Sequence, residues 1–121
     1  ASPMSTDNCI FCRIVRGEIP SRKVYEDDAV LAFHDIDPVA PVHFLVIPKE
    51  HIESMASLEE RHVDVVGRMM VLANRLAVDQ GSVEGFRAIV NTGRIGRQDV
   101  YHLHMHVIGG PQPLPGMIAK S

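Results

Sequence analysis

The order of apolar and polar residues along the chain predicts two helical segments. Residues 57–81 carry apolar side chains at helical spacing, which predicts one long amphipathic helix. Ser57 with Glu60 three residues later has the form of a capping box at its start, and Gly81 suits its C-terminal end. Residues 8–20 show a shorter helical rhythm that closes at glycine and proline, which predicts a short helix.

Shorter apolar runs bounded by turn residues predict five β-strands. Two of them flank a turn at Asp27 and Asp28, a third is VHFLVIP, and the last two are FRAIVNT and HLHMHVIG. Strands and helices do not alternate as they do in a doubly wound fold. We therefore expect an α+β domain, with a five-stranded, mostly antiparallel sheet, one long helix and one short helix.

Composition and charge narrow the classes of function. A chain of 121 residues with 45% hydrophobic and 22% charged residues suits one globular domain. Its net charge of −3 gives no electrostatic reason to expect a nucleic acid or an anionic membrane as partner. No apolar run approaches the ~18 residues of a membrane span, and no signal-peptide pattern opens the chain, so a cytoplasmic location is expected.

The motifs fall in a central region with two short ends. Residues 9–110 contain every motif described below and are predicted to form the domain. Residues 1–8 are interpreted as a tag remnant and a disordered N-terminus, because the letters ASP precede Met4. Residues 111–121 are rich in proline and glycine and are predicted to be an irregular tail.

Three of the seven histidines occupy alternate positions of one predicted strand, as His102, His104 and His106. Alternate residues of a strand share a face, so the three imidazoles would lie together. Charged imidazoles there would repel one another, which makes a purely structural role a poor explanation. A metal-binding face and a catalytic face both fit. The upstream turn GRIGRQD favours phosphorus chemistry, because backbone amides of a glycine-rich turn can hold anionic oxygens.

The only two cysteines, Cys9 and Cys12, form a Cys-x-x-Cys pair. A structural disulfide at this spacing is not expected in a reducing compartment. A redox dithiol and half of a zinc site are both consistent with the spacing.

The stretch HLHMHVI resembles the His-x-His-x-His-x-x motif of the histidine triad (HIT) nucleotide hydrolases and transferases. The resemblance runs from about Cys9 to Gly110 and includes GEIP, AFHDIDPVAPVHFLVIPKEHI, VNTG and QDVYHLHMHVIGG. It is strongest to the Hint branch, the purine nucleoside phosphoramidases. This implies a HIT-like domain that hydrolyses the P–N bond of AMP–amine compounds, and a homodimer in which strands of two protomers form one sheet. A dinucleoside polyphosphate hydrolase and a non-catalytic nucleotide-binding or scaffold module are the alternatives.

The resemblance also implies roles for individual residues. His104 would be the nucleophile that carries a covalent nucleotidyl group, and His106 would bond phosphate oxygens or assist the leaving group. His43 and His102 would complete the catalytic set. An imidazole attacks phosphorus only through an unprotonated nitrogen, so a backbone carbonyl should hold the proton of the other nitrogen. The nucleotide-binding residues would be Ile19, Phe33, Asp35, Ile36, Asn91, Gln98 and Asp99, with His104 and His106.

Asp99 stands where Hint relatives commonly carry a small hydroxyl residue. A carboxylate there should repel the substrate phosphate, unless it points away or receives the leaving amine. Arg94 and Arg97 in the same turn could compensate its charge.

Some HIT relatives bind a structural zinc ion through a Cys-x-x-Cys pair and two histidines. The matching positions in this chain are Cys9, Cys12, His51 and His102, a full tetrahedral set. No organic cofactor is expected. The three histidines of the triad would then have two functions, because His102 would serve the metal site.

Overall fold

The computed structural model describes residues 8–116. The elements are β1 (Lys23–Glu26), β2 (Val30–His34), β3 (Val42–Pro48), β4 (Arg87–Ile89), β5 (Met105–Gly109), α1 (Ile10–Val15) and α2 (Val63–Asp79). Residues 111–116 of the predicted tail contain no helix or strand. The expectations for residues 1–7 and 117–121 lie outside the described residues. No helix in residues 8–116 combines the length and the apolar character needed to cross a membrane.

The five strands form one sheet in the order β1-β2-β3-β5-β4, and every neighbouring pair is antiparallel. With one long and one short helix, this confirms the predicted α+β fold. β3 occupies the predicted run VHFLVIP and lies at the centre of the sheet, where all seven of its residues are buried. β4 and β1 are the edge strands.

The turn between β1 and β2 is built around Asp27, as the sequence predicts. Its Oδ1 accepts hydrogen bonds from the backbone N–H groups of Ala29 and Val30, both at 2.8 Å. Its other oxygen accepts from Tyr25 and from Arg68 on α2. Burial opposes ionisation of Asp27, but these hydrogen bonds together hold its pKa well below the usual range. The carboxylate thus ties the first hairpin to the long helix.

The sheet is covered on both faces because β2 and β3 alternate their apolar side chains between two cores. On one face, α2 packs Met69, Leu72, Ala73, Leu76 and Ala77 against the sheet. On the other face, α1 packs Phe11, Cys12 and Ile14 against Leu31, Phe33, Leu45 and Ile47. The second face carries the candidate site.

The start of the long helix differs from the prediction. Ser57 belongs to a 3₁₀ turn, Met55–Ser57, and Leu58 is extended, so the expected Ser57–Glu60 capping box is wrong. Glu60–His62 forms a second 3₁₀ turn, in which His62 Nδ1 accepts the N–H of Glu59 at 2.9 Å. α2 begins only at Val63. A local Ser-x-x-Glu pattern was overridden by this histidine.

The end of the long helix agrees with the prediction. Gly81 has φ of +110°, and its N–H donates to the carbonyl of Val78 at 3.0 Å. The N–H of Ser82 donates to Ala77 at 2.8 Å. This pair of bonds is the Schellman motif, which favours glycine at the residue with positive φ.

The histidine strand is shorter than predicted. β5 begins at Met105, so the prediction that His102 and His104 lie within a strand is wrong. The N–H of Leu103 donates instead to the carbonyl of Ile52 at 2.6 Å, in the segment that follows β3. Met105 and Val107 face the core under α2, as expected from alternation.

Candidate active site and metal centre

His104 has its nitrogen atoms in two different environments. Its Nδ1 donates to the backbone carbonyl of His102 at 2.8 Å. Because the proton is on Nδ1, the neutral ring carries its lone pair on Nε2. Nε2 lies 3.5 Å from Oδ1 of Asp99, whose side chain is 76% exposed. The unprotonated nitrogen therefore lies beside a solvent-accessible carboxylate, in the tautomer that nucleophilic attack requires.

His43 and His106 form a second hydrogen-bonded pair. The N–H of Val39 donates to His43 Nδ1 at 3.2 Å, so a neutral His43 carries its proton on Nε2. That proton is directed to His106 Nδ1 at 2.9 Å. His106 must then carry its own proton on Nε2. Burial lowers the pKa of His106, with the neighbouring His104 and His43 adding to the effect, which favours this neutral state.

The two catalytic candidates, His104 and His106, thus differ in the nitrogen that carries the proton. The rings of His104 and His106 lie 5.1 Å apart between centroids. His104 offers a lone pair, and His106 offers an N–H donor. A phosphate group in contact with both rings would meet one nucleophile and one hydrogen-bond donor, two groups that promote displacement at phosphorus.

Cys9, Cys12, His51 and His102 form a compact cluster whose ligand atoms all lie within 4.8 Å of one another. Nδ1 of His102 lies 3.3 Å from Cys9 Sγ and 3.5 Å from Cys12 Sγ, and Nδ1 of His51 lies 3.2 Å from Cys12 Sγ. Tetrahedral zinc with its usual bond lengths needs about 3.6 Å between sulfur and nitrogen ligands. The four residues therefore fit a closed zinc site.

The protonation of the cluster also fits a metal. Nε2 of His102 donates to the carbonyl of Pro48 at 2.8 Å, which directs the lone pair on Nδ1 toward the sulfurs. Burial lowers the pKa of His102 to about 4, against the opposing effect of that carbonyl. Burial raises the pKa of Cys12 to about 12, and its hydrogen bond with Cys9 adds to this. Ionisation of that thiol requires a strong local cation, which a zinc ion would supply.

His51, a half-buried residue, carries the one buried side-chain nitrogen or oxygen without a hydrogen-bond partner in residues 8–116. Its Nε2 is buried without a hydrogen-bond partner, while its Nδ1 faces Cys12. Burying a polar atom in this way costs about 1–3 kcal/mol. A bond from the same ring to a metal ion would help to offset that cost.

Helix α1 connects the Cys/His cluster with the candidate active site. Cys9 caps the helix, since its Sγ accepts the N–H of Cys12 at 3.3 Å. Between the two cysteines, Phe11 places its ring 5.2 Å from that of His104 and 6.0 Å from that of His102. The sequence analysis did not identify Phe11, although its position inside the Cys-x-x-Cys pair was a signal. Val39 and Pro48 were missed as well, because they act through backbone groups.

The glycine-rich turn is held by its own hydrogen bonds. Gln98 accepts the N–H of Gly93 at 3.0 Å and donates to the carbonyls of Glu53 and Val100 at 2.7 and 3.0 Å. Its amide is thus occupied by the backbone, and its contact with phosphate stays a prediction. The N–H groups of four turn residues also donate within the turn, so they do not form the expected anion cradle: Gly93, Gly96, Arg97 and Gln98.

The remaining predicted nucleotide-binding residues are only partly brought together. Phe33 is buried and Ile19 packs beside it in the core under α1. Asp35 places Oδ2 3.4 Å from His43 Nε2, which joins it to the histidine pair. Asn91 is half-buried in the segment after β4. Ile36 is fully exposed, away from the Phe33 core.

Comparison with known proteins agrees with this geometry. A HIT-family domain profile, described as "Scavenger mRNA decapping enzyme C-term binding", matches residues 8–121. The chain belongs to the HIT family. Adenylylsulfatase HINT1 of Arabidopsis thaliana is 47% identical over 114 residues, covering 93% of this HIT chain and 78% of that protein.

Two further matches extend the comparison to zinc binding and to the fold. The 14 kDa zinc-binding protein of Brassica juncea is 50% identical over 105 residues, covering 85% of this chain and 93% of that protein. The solved structure of a HIT family hydrolase from Clostridium thermocellum has a TM-score of 0.88 at 42% identity, covering 94% of this chain and all of that one. This HIT chain is thus related to hydrolases over nearly its whole length.

Proposed function

We propose that this chain hydrolyses the P–N bond of purine nucleoside phosphoramidates through a nucleotidyl group carried on His104. The main support is the 2.8 Å hydrogen bond from His104 Nδ1 to the carbonyl of His102, which leaves the lone pair on Nε2. An attacking histidine needs that tautomer, and the carbonyl keeps it in place during the reaction.

The proposed reaction has two displacements. In the first, the bond between Nε2 and phosphorus forms while the P–N bond breaks, and the departing nitrogen takes a proton from solvent and leaves as an amine. In the second, a water oxygen forms a bond to phosphorus while the Nε2–P bond breaks; the water releases a proton to solvent, AMP is released and His104 is regenerated. His106 donates its Nε2–H to a phosphate oxygen in both steps and stabilises the developing charge. Ping-pong kinetics are expected.

The substrate class rests on two lines of support. The motif resemblance to the Hint branch favours an AMP–amine compound. The Arabidopsis relative is named an adenylylsulfatase, which is consistent with attack at an adenylyl phosphorus. Ile19 and Phe33 would supply the apolar surface for the base, and Asp35 would bond the ribose hydroxyls.

A substrate comparison tests the proposal. Adenosine 5′-phosphoramidate and a diadenosine polyphosphate are incubated with the wild type, with His104→Ala, and with His34→Asn as a histidine control outside the cluster. Turnover of the phosphoramidate that is lost only in His104→Ala supports the proposal. Preference for the polyphosphate would favour the alternative hydrolase. Nucleotide binding without turnover of either compound would refute catalysis, and activity in His104→Ala would refute the assigned nucleophile.

We also propose that Cys9, Cys12, His51 and His102 hold one structural zinc ion, which fixes the start of α1 against the sheet. Two reduced cysteines used in this way are consistent with a cytoplasmic location. Metal analysis of protein purified without chelator should give about one zinc per chain. The double variant Cys9→Ser/Cys12→Ser should lose the metal, and its retention there would exclude this site.

We further propose that the protein is a homodimer. The outward face of α2 exposes Val63, Met70, Val71 and Val78, and β4 is an edge strand of the sheet. A second copy would cover the apolar stripe and extend the sheet. Analytical ultracentrifugation should give a dimer mass for the wild type and a lower mass for Val71→Lys. An unchanged monomer mass for both proteins would refute this.

A further inference from the structure

The carboxylate of Asp99 lies beside the proposed nucleophile. Its Oδ1 is 3.5 Å from His104 Nε2, and its side chain is 76% exposed. The N–H of Val100 donates to the same oxygen at 2.9 Å, which fixes the direction of the carboxylate. A negative charge is therefore held where the substrate phosphorus must approach.

Within residues 8–116, Asp99 forms no ion pair with a lysine or an arginine, although Arg94 and Arg97 belong to the same turn. Gln98 fastens the backbone next to Asp99 to Glu53, which fixes the position from which the carboxylate extends. The expected compensation by arginine is thus absent from the described geometry.

We propose that Asp99 selects substrates by the charge of the leaving group, favouring cationic amines and disfavouring anionic groups such as phosphate or sulfate. The inference rests on the proposed function and adds a substrate class to it. Repulsion between Asp99 and the attacked phosphate is common to all substrates and cancels when they are compared. Only the charge of the departing group then distinguishes them.

The distances support a small but measurable effect. An attacking nitrogen comes within about 3–3.5 Å of phosphorus, so Oδ1 of Asp99 lies within about 7 Å of that atom. In an in-line displacement the leaving group departs on the side of phosphorus opposite to His104, so the charge at its far end lies about one to two Debye lengths from the carboxylate at physiological salt. With an exposed carboxylate, we expect about a threefold preference in kcat/KM for a cationic over an anionic leaving group.

Asp99 itself takes no part in the covalent step. The Nε2–P bond forms, the P–N bond breaks, and the departing nitrogen gains a proton from solvent. A leaving group with a second, protonated amine carries a positive charge throughout. The carboxylate favours the transition state of that substrate without accepting or donating a proton.

Three AMP phosphoramidates of similar leaving-group length isolate this effect: those of 1,3-diaminopropane, propylamine and β-alanine. Their scissile P–N bonds are alike, while the leaving group is cationic, neutral or anionic. Each is assayed with the wild type, with Asp99→Asn, and with Asp79→Asn as an equal change of charge at the far end of α2. The amide that replaces the carboxylate in Asp99→Asn keeps an oxygen for the N–H of Val100, so the turn is retained.

The wild type and Asp79→Asn should prefer the diamine derivative over the β-alanine derivative by about threefold, and Asp99→Asn should show a ratio near one. Added salt should bring the kcat/KM ratio of the wild type closer to one and leave the ratio of Asp99→Asn unchanged. If the wild type cleaves the propylamine compound, but the ratio of kcat/KM between the diamine and β-alanine derivatives is the same in the wild type and Asp99→Asn, this inference alone is overturned. Failure of the wild type to cleave any of the three would overturn the proposed function as well.

Discussion

Two substitutions of His43 should separate its two hydrogen bonds. Asparagine places its side-chain oxygen near the position of Nδ1 and can still accept the N–H of Val39, but it cannot reach His106. Glutamine places its amide nitrogen near the position of Nε2 and can still donate to His106 Nδ1. If His43 acts by holding the tautomer of His106, glutamine should preserve activity better than asparagine.

The size of the difference follows from the 2.9 Å bond between His43 and His106. Loss of the donor leaves His106 Nδ1 without its partner, a cost of about 1–3 kcal/mol where the group is buried. That free energy corresponds to a loss in kcat of about fivefold to about 150-fold for His43→Asn. His43→Gln should stay within about tenfold of the wild type.

The assay combines steady-state kinetics with ¹⁵N NMR of the histidine side chains. In the wild type and in His43→Gln, His106 should show the Nε2–H tautomer, and in His43→Asn a mixture. Thermal unfolding of both variants controls for loss of the fold. Equal losses of kcat in the two variants, or an unchanged tautomer in His43→Asn, would refute the positioning role.

Three further perturbations test other parts of the structure. Phe11→Ala should lower the free energy of unfolding by about 3–5 kcal/mol in urea titrations, with Phe11→Leu milder; equal losses would argue against ring packing on the histidines. The pKa of Asp27 is lower in the folded chain than the value of about 3.9 expected for the unfolded chain. The ionised carboxylate therefore stabilises the fold at pH above about 3.9, and this stabilisation is lost as the pH falls through the lower pKa of the folded state. Asp27→Asn should therefore cost about 1–2 kcal/mol at pH 7, and the difference should narrow between about pH 4 and pH 2; a constant difference would refute this. Gly96→Ala should reduce kcat, because a Cβ would lie 2.6 Å from the backbone nitrogen of Thr92 and distort the turn; unaltered kinetics would contradict that.

The sequence was informative where side-chain periodicity reports burial directly. β3 and the glycine end of α2 were predicted correctly. A short, wholly apolar run between turn residues favours a buried strand, and a glycine after an apolar helical stripe favours the positive φ of a helix end. The start of α2 was not, since Ser57 and Glu60 satisfied a local rule while His62 supplied a different cap. The alternating histidines were placed in a strand for a similar reason. A spacing of two does not distinguish a strand from a segment held by side-chain bonds to carbonyls.

The side chains of the candidate site could be predicted from the sequence, but which ring nitrogens donate and which accept hydrogen bonds could not. The motif resemblance pointed to the histidines of the candidate active site and of the Cys/His cluster, and to the two cysteines. The hydrogen bonds that decide their chemistry involve the carbonyl of Pro48 and the N–H of Val39, and backbone groups carry no signal in the residue letters. Only the folded chain reveals which nitrogen of each ring is free.

The different protonation patterns of the three triad histidines follow from their hydrogen-bond partners. His102 donates from Nε2 to Pro48, so its Nδ1 lone pair faces the cysteines. His104 donates from Nδ1 to His102, so its lone pair is on the opposite nitrogen, beside Asp99. His106 accepts at Nδ1 from His43, so it presents an N–H. Three identical side chains at a spacing of two thus present two lone pairs on different ring nitrogens and one N–H, which suit the proposed metal ligand, nucleophile and phosphate donor. A change at any one hydrogen-bond partner should therefore alter one of these proposed functions without removing a triad histidine.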